Sequence, residues 1–341
     1  MKRLTHTQIF WPLVILISII LLNGLASGGA FFHLQIIDGH LYGRIIDIVR
    51  NGSKLMLLAL GMTMVLATGG TDISVGSVMA IAGAVACTII EGSLFPFAQG
   101  NVAFGIGMAL LAGMLCGSWN GLLVSKIKMQ PIVATMILLV AGRGIAQLIC
   151  EGRIVTINSP TFYFLNGGYI LGFPFPLYIV AFFTLLMLVG VRRTAFGLYV
   201  ESVGCNTEAS RYSGINSERT KFFIYVLCGT LAAVAGLIES AGIKGADANN
   251  AGFMIELDAI LAVAIGGSSL SGGRFSLLSS LVGALIIQSI TTSILSLGVA
   301  PEVNLVVKAV VVIAICLAQS SVFQQSLAEL KSKVRKQEVA R

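Results

Sequence analysis

Five ionisable side chains lie in or beside strongly apolar stretches of this sequence, and they are its first candidates for chemistry. They are Asp72, Arg143, Glu239, Asp258 and Lys308. A charge at the centre of a membrane helix costs about 2.5 to 3.5 kcal/mol unless it faces a cavity or a partner. A carboxylate that titrates there could couple transport to protons or sodium ions, and Asp72 and Asp258 could serve. Both also adjoin glycine turns or helix starts, where aspartate is an ordinary N-cap, and the sequence favours this structural role.

Other kinds of chemistry lack a motif in this chain. The sequence contains no phosphate-binding Gly-x-x-x-x-Gly-Lys-Ser/Thr loop, no Gly-x-Ser-x-Gly nucleophile turn and no His-Glu-x-x-His zinc motif. Its six cysteines and three histidines are scattered without metal-ligand spacing. We therefore expect a chain that is not an enzyme, binds no metal or cofactor itself and leaves any ATP to another subunit.

One glycine-rich pattern occurs twice, as GGTDISVG at residues 69–76 and as GGSSLSGG at residues 266–273. Matching breaks in two halves of a membrane protein are a sequence pointer to a solute path. The alternative is a chance match, because glycine and serine are common in membrane helices. Asn120, in an apolar stretch, could likewise line a path or only bridge two helices. The candidate path residues are Gly69, Gly70, Asp72, Asn120, Gly266 and Gly267.

The composition defines the elements that must position these residues. Of 341 residues, 56% are hydrophobic and 11% are charged, with a mean hydropathy of +0.92. These values predict an all-α polytopic membrane protein. Because one crossing takes roughly 20 residues, ten crossings leave room only for short loops. We predict one transmembrane domain over residues 1–325 and a basic cytoplasmic tail over residues 326–341.

Ten apolar runs are the predicted crossings. They cover residues 10–27, 55–68, 75–90, 102–125, 131–149, 177–191, 222–240, 257–266, 276–297 and 304–319. The second and eighth are short and run directly into the glycine patterns. Short, glycine-ended runs predict half-helices.

The distribution of basic residues predicts the orientation of the chain. Lys and Arg cluster beside alternate apolar runs, which indicates the positive-inside rule and not a nucleic-acid partner. Both termini are then cytoplasmic, and Arg44, Arg50 and Lys54 fall in the first outer loop. Both glycine patterns are entered from the outer side, which favours a parallel relation between them.

The longest polar interruption, residues 192–221, lies inside on this topology. Asn206 or Thr207 can cap a short helix from Glu208, where an acidic first turn suits the helix dipole, and Gly214 can end it. The segment is either a docking element for a cytoplasmic partner or an ordinary solvated loop.

Four stretches resemble the ribose-type permeases of bacterial ABC sugar importers. They are residues 68–77 (TGGTDISVGS), 130–135 (QPIVAT), 204–206 (GCN) and 256–260 (ELDAI), the last followed by Gly266 and Gly267. Residues 244–252 (KGADANNAG) and 140–144 (VAGRG) are most similar to the galactofuranose importer permeases within that family. The resemblance covers nearly the whole chain, with its motifs in the expected order and spacing.

The resemblance implies a non-catalytic subunit in the bacterial inner membrane that transports galactofuranose or a related hexose or pentose. Its implied partners are a cytoplasmic ATPase that holds the ATP, a second permease subunit and a periplasmic sugar-binding protein. The segment 192–221 would then dock the ATPase, through Gly197, Gly204, Asn206, Glu208, Arg211 and Gly214. An ion-coupled sugar carrier using Asp72 or Asp258 is the alternative, and a membrane enzyme acting on lipid-linked sugar is a third hypothesis.

Overall fold

The computed structural model of the chain describes residues 9–26, 29–37, 39–296, 306, 307, 309, 310 and 313. Over these residues the protein is mainly helical, as predicted. Nine α-helices match the first nine apolar runs: α1 (Phe10–Ala26), α2 (Arg44–Ala67), α3 (Val75–Glu91), α4 (Val102–Ser125), α5 (Pro131–Ile149), α7 (Phe175–Arg193), α10 (Ser217–Ile243), α11 (Ile255–Ile265) and α12 (Leu277–Ser296). Most of the tenth run, Lys308 and the tail 326–341 lie outside the described residues.

Three short helices and three two-stranded antiparallel sheets occupy the connections. The helices are α6 (Pro160–Gly167), α8 (Phe196–Cys205) and α9 (Thr207–Tyr212). The strands pair as β1 (Gln35–Ile37) with β2 (His40–Tyr42), β3 (Val155–Thr156) with β6 (Gly245–Ala246), and β4 (Tyr169–Ile170) with β5 (Phe173–Pro174). We call the end of the bundle with α8 and α9 the α9 face, and the end with α6 and the sheets the α6 face.

Five of the described helices are long and apolar enough to cross a membrane, namely α4, α5, α7, α10 and α12. Their exposed surfaces carry large apolar side chains, such as Leu148 on α5 and Leu185 on α7. Apolar side chains of this kind fit a lipid environment. The backbone N–H and C=O groups make their hydrogen bonds within each helix, as the bilayer requires. The protein is therefore a multi-pass membrane protein.

Helix α3 lies at the centre of the bundle and is buried at every residue from Val75 to Ile90. It begins about halfway along α10, because a β-carbon on Gly236 would lie 2.8 Å from the Cα atom of Met79. Helix α3 thus starts at mid-depth and runs towards the α6 face. The glycine-rich residues 69–74 connect it to α2.

Small residues allow the close contact between α4 and α10. A β-carbon on Gly229 would lie 2.5 Å from the carbonyl oxygen of Gly113 and 2.9 Å from the Cα atom of Gly117. Contacts of this closeness require glycine, and small residues are enriched where membrane helices meet. The same two helices carry polar residues of the candidate site.

Helix α2 corrects two predictions. It has 24 residues, so it is not a half-helix, and Arg44, Arg50 and Lys54 belong to it and not to an outer loop. The charged residues are tolerated in the helix because they have partners: Arg50 donates to the Asn166 side chain, and Lys54 forms an ion pair with Glu239. Helix α11, with 11 residues, has the length of a half-helix, as predicted for the eighth run.

Candidate functional site

The two glycine patterns meet at the end of α2. The backbone N–H of Gly273 donates to the carbonyl oxygen of Ala67 over 2.8 Å. Gly204, in the last turn of α8, packs into the same place, since a β-carbon on Gly272 would lie 2.8 Å from the Gly204 carbonyl oxygen and 3.1 Å from the Gly69 nitrogen. Helix α2 ends at this contact, and the second pattern reaches it through Gly272 and Gly273, several residues after the end of α11. We call this contact of three backbone segments the glycine junction.

Asp72 lies in a buried polar cluster at the start of α3. One carboxylate oxygen accepts hydrogen bonds from the Ser74 backbone N–H at 2.9 Å and the Ser74 hydroxyl at 2.6 Å. The Asn120 amide nitrogen is 3.5 Å from the same oxygen and donates to the Ser74 hydroxyl at 2.8 Å. The N-cap position itself belongs to Ser74. The carboxylate therefore holds the first turn of α3 to α4, which is a structural role close to the predicted cap.

Asp258 has a different position. The N-cap of α11 is Met254, so Asp258 is not a cap but lies in the first turn of the helix. It lines a cavity of about 390 Å³ between α2, α10, α11 and α12, which we call the polar cavity. Its lining includes Asn51, Lys54, Glu239, Asn250, Phe253, Asp258, Gln288, Thr291 and Thr292. A cavity of this size, with convergent amides and hydroxyls, can take one small polar molecule.

One ion pair lies on the wall of the polar cavity. The Lys54 ammonium nitrogen is 3.5 Å from a carboxylate oxygen of Glu239. A second cavity of about 250 Å³ adjoins it on the side of α6 and shares Asn51, Lys54 and Glu239 as lining residues. Besides the charged side chains of this pair and Asp258, the lining carries neutral amides and hydroxyls, which can bond to an uncharged ligand with hydroxyl groups.

The connection from β6 to α11 forms another part of this wall. The Asp247 carboxylate accepts hydrogen bonds from the Asn250 side chain at 2.7 Å and from the backbone N–H groups of Asn249 and Asn250. These bonds, that of the Asn250 side chain first, lower the pKa of Asp247 below its ordinary value. The turn at residues 247–250 is thereby held closed at neutral pH.

The α9 face carries the predicted docking segment. Asn206 is the N-cap of α9 and its side chain accepts from the Ala209 N–H at 2.9 Å, while Gly214 has a φ of +84° just after the helix. Both features were predicted. Glu208 and Arg211 are exposed, and they line a cavity of about 390 Å³ against the α4–α5 connection. Gly197 is buried in the first turn of α8, a helix that the sequence analysis did not predict.

The structure separates the predicted path residues into two groups. Gly69, Gly70, Gly266 and Gly267 lie in the turns that follow α2 and α11, whereas Asp72 and Asn120 form the cluster facing α4. None of these six residues lines the polar cavity. The sequence analysis missed Gln288, Thr291 and Thr292, although Glu239 and Asp258 had been noted as charges in apolar runs. Over the residues that the structure describes, no cluster of three metal-binding side chains occurs.

Comparisons with known proteins agree on one kind of protein. The family described as "branched-chain amino acid transport system / permease component" matches residues 44–316. The chain is 47% identical to a galactofuranose transporter permease protein of Escherichia coli, over 95% of the chain and 94% of that protein. It is 38% identical to a fructose import permease protein of Bifidobacterium longum, over 97% and 93%, and 35% identical to a ribose import permease protein of Haemophilus influenzae, over 81% and 84%. No solved structure gives a significant match.

Proposed function

The chain belongs to this family of non-catalytic permease subunits of ABC importers, and we propose that it carries a monosaccharide across the bacterial inner membrane. The family assignment supports this function over an ion-coupled carrier and over an enzyme acting on lipid-linked sugar. We propose galactofuranose as the first sugar to test, because the relative named for it shares 47% of its residues with this chain. A related hexose or pentose is the broader class.

The polar cavity is the observation that carries the proposed path. Its amide and hydroxyl groups can exchange hydrogen bonds with sugar hydroxyls, and Phe253, which is 65% exposed, offers an apolar ring to a sugar face. Below the cavity, the glycine turns border the continuation of the path between α2 and α11. Asp72 and Asn120 hold the first turn from the other side without binding an ion.

The remaining parts of the proposal concern partners and topology. A cytoplasmic ATPase binds the ATP and docks on α9, a periplasmic binding protein delivers the sugar to the α6 face, and a second permease subunit, identical or homologous, completes the complex. Ten crossings place both termini in the cytoplasm. ATP binding and hydrolysis then drive alternation between an outward-open and an inward-open state.

Reconstitution tests the function directly. The chain, with its ATPase, second permease subunit and binding protein in proteoliposomes, should accumulate radiolabelled galactofuranose only when ATP is supplied. Ribose, fructose and galactose in parallel assays define the specificity. Accumulation by the chain alone on a proton or sodium gradient would contradict the proposal.

A pair of threonines tests the path. Thr292 lines the polar cavity and accepts from Gln288, whereas Thr230 bonds only to the backbone of its own helix at Val226. Thr292→Val should lower the uptake rate roughly threefold to tenfold, because one hydrogen bond to the sugar is lost. Thr230→Val is the matched control and should transport like the wild type. Equal uptake by both variants would place the path elsewhere.

A further inference from the structure

Residues 247–254 form an irregular segment that reaches deep between the helices. Gly252 has a φ of +63°, and a β-carbon on it would lie 2.6 Å from the carbonyl oxygen of Gly76 in the first turn of α3. That turn lies at mid-depth, so the segment descends from the α6 face into the bundle. Irregular backbone at membrane depth persists only where protein groups satisfy its N–H and C=O groups.

Arg143 on α5 supplies these partners. Its guanidinium nitrogen Nη1 donates to the carbonyl oxygens of Ala248 at 3.0 Å and Ala251 at 2.6 Å. One turn further along α5, Gln147 donates to the Asn249 side chain at 2.6 Å. Within the described part of the chain, no carboxylate lies within ion-pair distance of Arg143. The guanidinium group of this half-buried arginine therefore donates its hydrogen bonds to backbone carbonyl groups of the segment.

The other side of the same segment faces the polar cavity. Asn250, Gly252 and Phe253 are cavity-lining residues, and α11 begins immediately after them at Ile255. Within the wall the Asp247 carboxylate bonds to Asn249 and Asn250, whereas the side-chain bonds from α5 to the wall come from Arg143 and Gln147. The guanidinium thus lies on one side of a thin backbone wall and the proposed sugar path on the other.

We propose that Arg143 is a positioning residue for transport, which holds residues 247–252 in place as a wall of the polar cavity. The inference rests on the proposed function, because it gives the cavity its role. Arg143 touches no substrate and acts through the segment that it bonds. Lysine would keep the positive charge, but its ammonium group is more strongly hydrated and lacks the planar geometry that places two donors on fixed carbonyls. Lysine should therefore restore the function only in part.

The test compares Arg143→Met and Arg143→Lys in the complete complex of chain, second permease subunit, ATPase and binding protein. Arg153→Met is the matched control, because Arg153 makes two bonds to Glu91 on the same face and none to the segment. Hydrogen exchange should speed up roughly tenfold to hundredfold at amides 248–254 in Arg143→Met, since bonds to a charged donor are lost. Exchange in α12 should not change. In Arg143→Lys the increase should be smaller.

Uptake provides the second measurement. In Arg143→Met the maximal rate of ATP-driven sugar uptake should fall at least fivefold, because the wall of the polar cavity is no longer held in place. Arg143→Lys should lie between the two, and the Arg153→Met control should match the wild type.

Unchanged exchange at residues 248–254, or increased exchange with wild-type uptake, would overturn the proposal. An increase in exchange over the whole chain would also overturn it, because that result shows a general loss of stability. If the wild-type complex transports no sugar at all, the proposed function fails, whereas the exchange measurement still reports on the bonds of Arg143.

Discussion

Replacing Gly117 by alanine should weaken the contact between α4 and α10. A β-carbon at this position would lie 2.9 Å from the Cα atom of Val226 and 3.1 Å from the carbonyl carbon of Tyr225. Carbon atoms in good contact are about 3.5 to 4.0 Å apart, so the two helices must separate by roughly 0.5 to 1 Å. Backbone atoms cannot rotate away as a side chain can, so the whole helix has to shift.

The magnitude follows from two opposing contributions. Overpacking of a close contact costs about 1 to 3 kcal/mol. Alanine in place of a helical glycine gains about 0.5 to 1 kcal/mol. The net result is a loss of stability of up to roughly 2.5 kcal/mol. Because Asn120 is one turn further along α4, the shift should also lengthen its bond to Ser74, which is 2.8 Å in the wild type.

The control is Gly107→Ala in the same helix, where a β-carbon would have no atom within 4 Å. In this variant alanine raises the helix propensity and creates no close contact. Its apparent Tm in detergent should therefore equal or exceed that of the wild type. Gly117→Ala should unfold at a lower temperature than both, as followed by intrinsic tryptophan fluorescence. Equal melting temperatures for the two alanine variants would refute the argument from helix contact.

Three further predictions concern the polar groups. Asn120→Ala should lower the apparent Tm, because the buried Ser74 hydroxyl loses its donor at a cost of about 1 to 3 kcal/mol, and an unchanged Tm would show that the donor is replaced by water. Replacing Glu208 and Arg211 together by alanine should reduce ATP-driven uptake while membrane insertion, measured by immunoblotting of the membrane fraction, stays normal; normal uptake would argue against docking on α9. The pKa of Asp247 in the folded protein is lower than its ordinary value of 3.8. The turn at residues 247–250 should therefore be stable above pH 3.8 and lose stability as the pH falls through the pKa of the folded protein. Amide exchange at residues 249 and 250, corrected for intrinsic rates, should show this loss in the wild type and not in Asp247→Asn.

The sequence located most of the helices because a membrane sets their length and composition. The apolar runs at about 102–125 and 131–149 coincide with α4 and α5, whose starts are fixed locally, because Asn101 caps one helix and Pro131 begins the other. The N-cap of α9 was predicted for the same local reason: asparagine is a strong cap before an acidic first turn. Features that depend on residues close in sequence could therefore be predicted.

Features that depend on distant partners could not. The charged residues in the first turns of α2 have the sequence pattern of a loop. They are part of a helix because the fold pairs Lys54 with Glu239, which is far away in sequence. The descent of residues 247–254 likewise depends on Arg143, more than 100 residues earlier. The role of Thr292 and Gln288 could not be predicted from the sequence. A neutral polar residue on a membrane helix can either bridge two helices or line a cavity, and the sequence pattern is the same in both cases.

The glycine junction has a mechanical consequence. Where side chains separate two elements, a small displacement can be absorbed by a change of rotamer. At Gly204, Gly272 and Ala67 the backbones touch directly, so no rotamer is available to take up a movement. A displacement of Gly204, which lies at the end of α8 next to α9, would therefore be passed directly to the end of α2 and to the turn at Gly272 and Gly273. If an ATPase docks on α9 as proposed, differences in how strongly it drives transport should then arise at the contacts of α9 with the ATPase and not at the glycine junction.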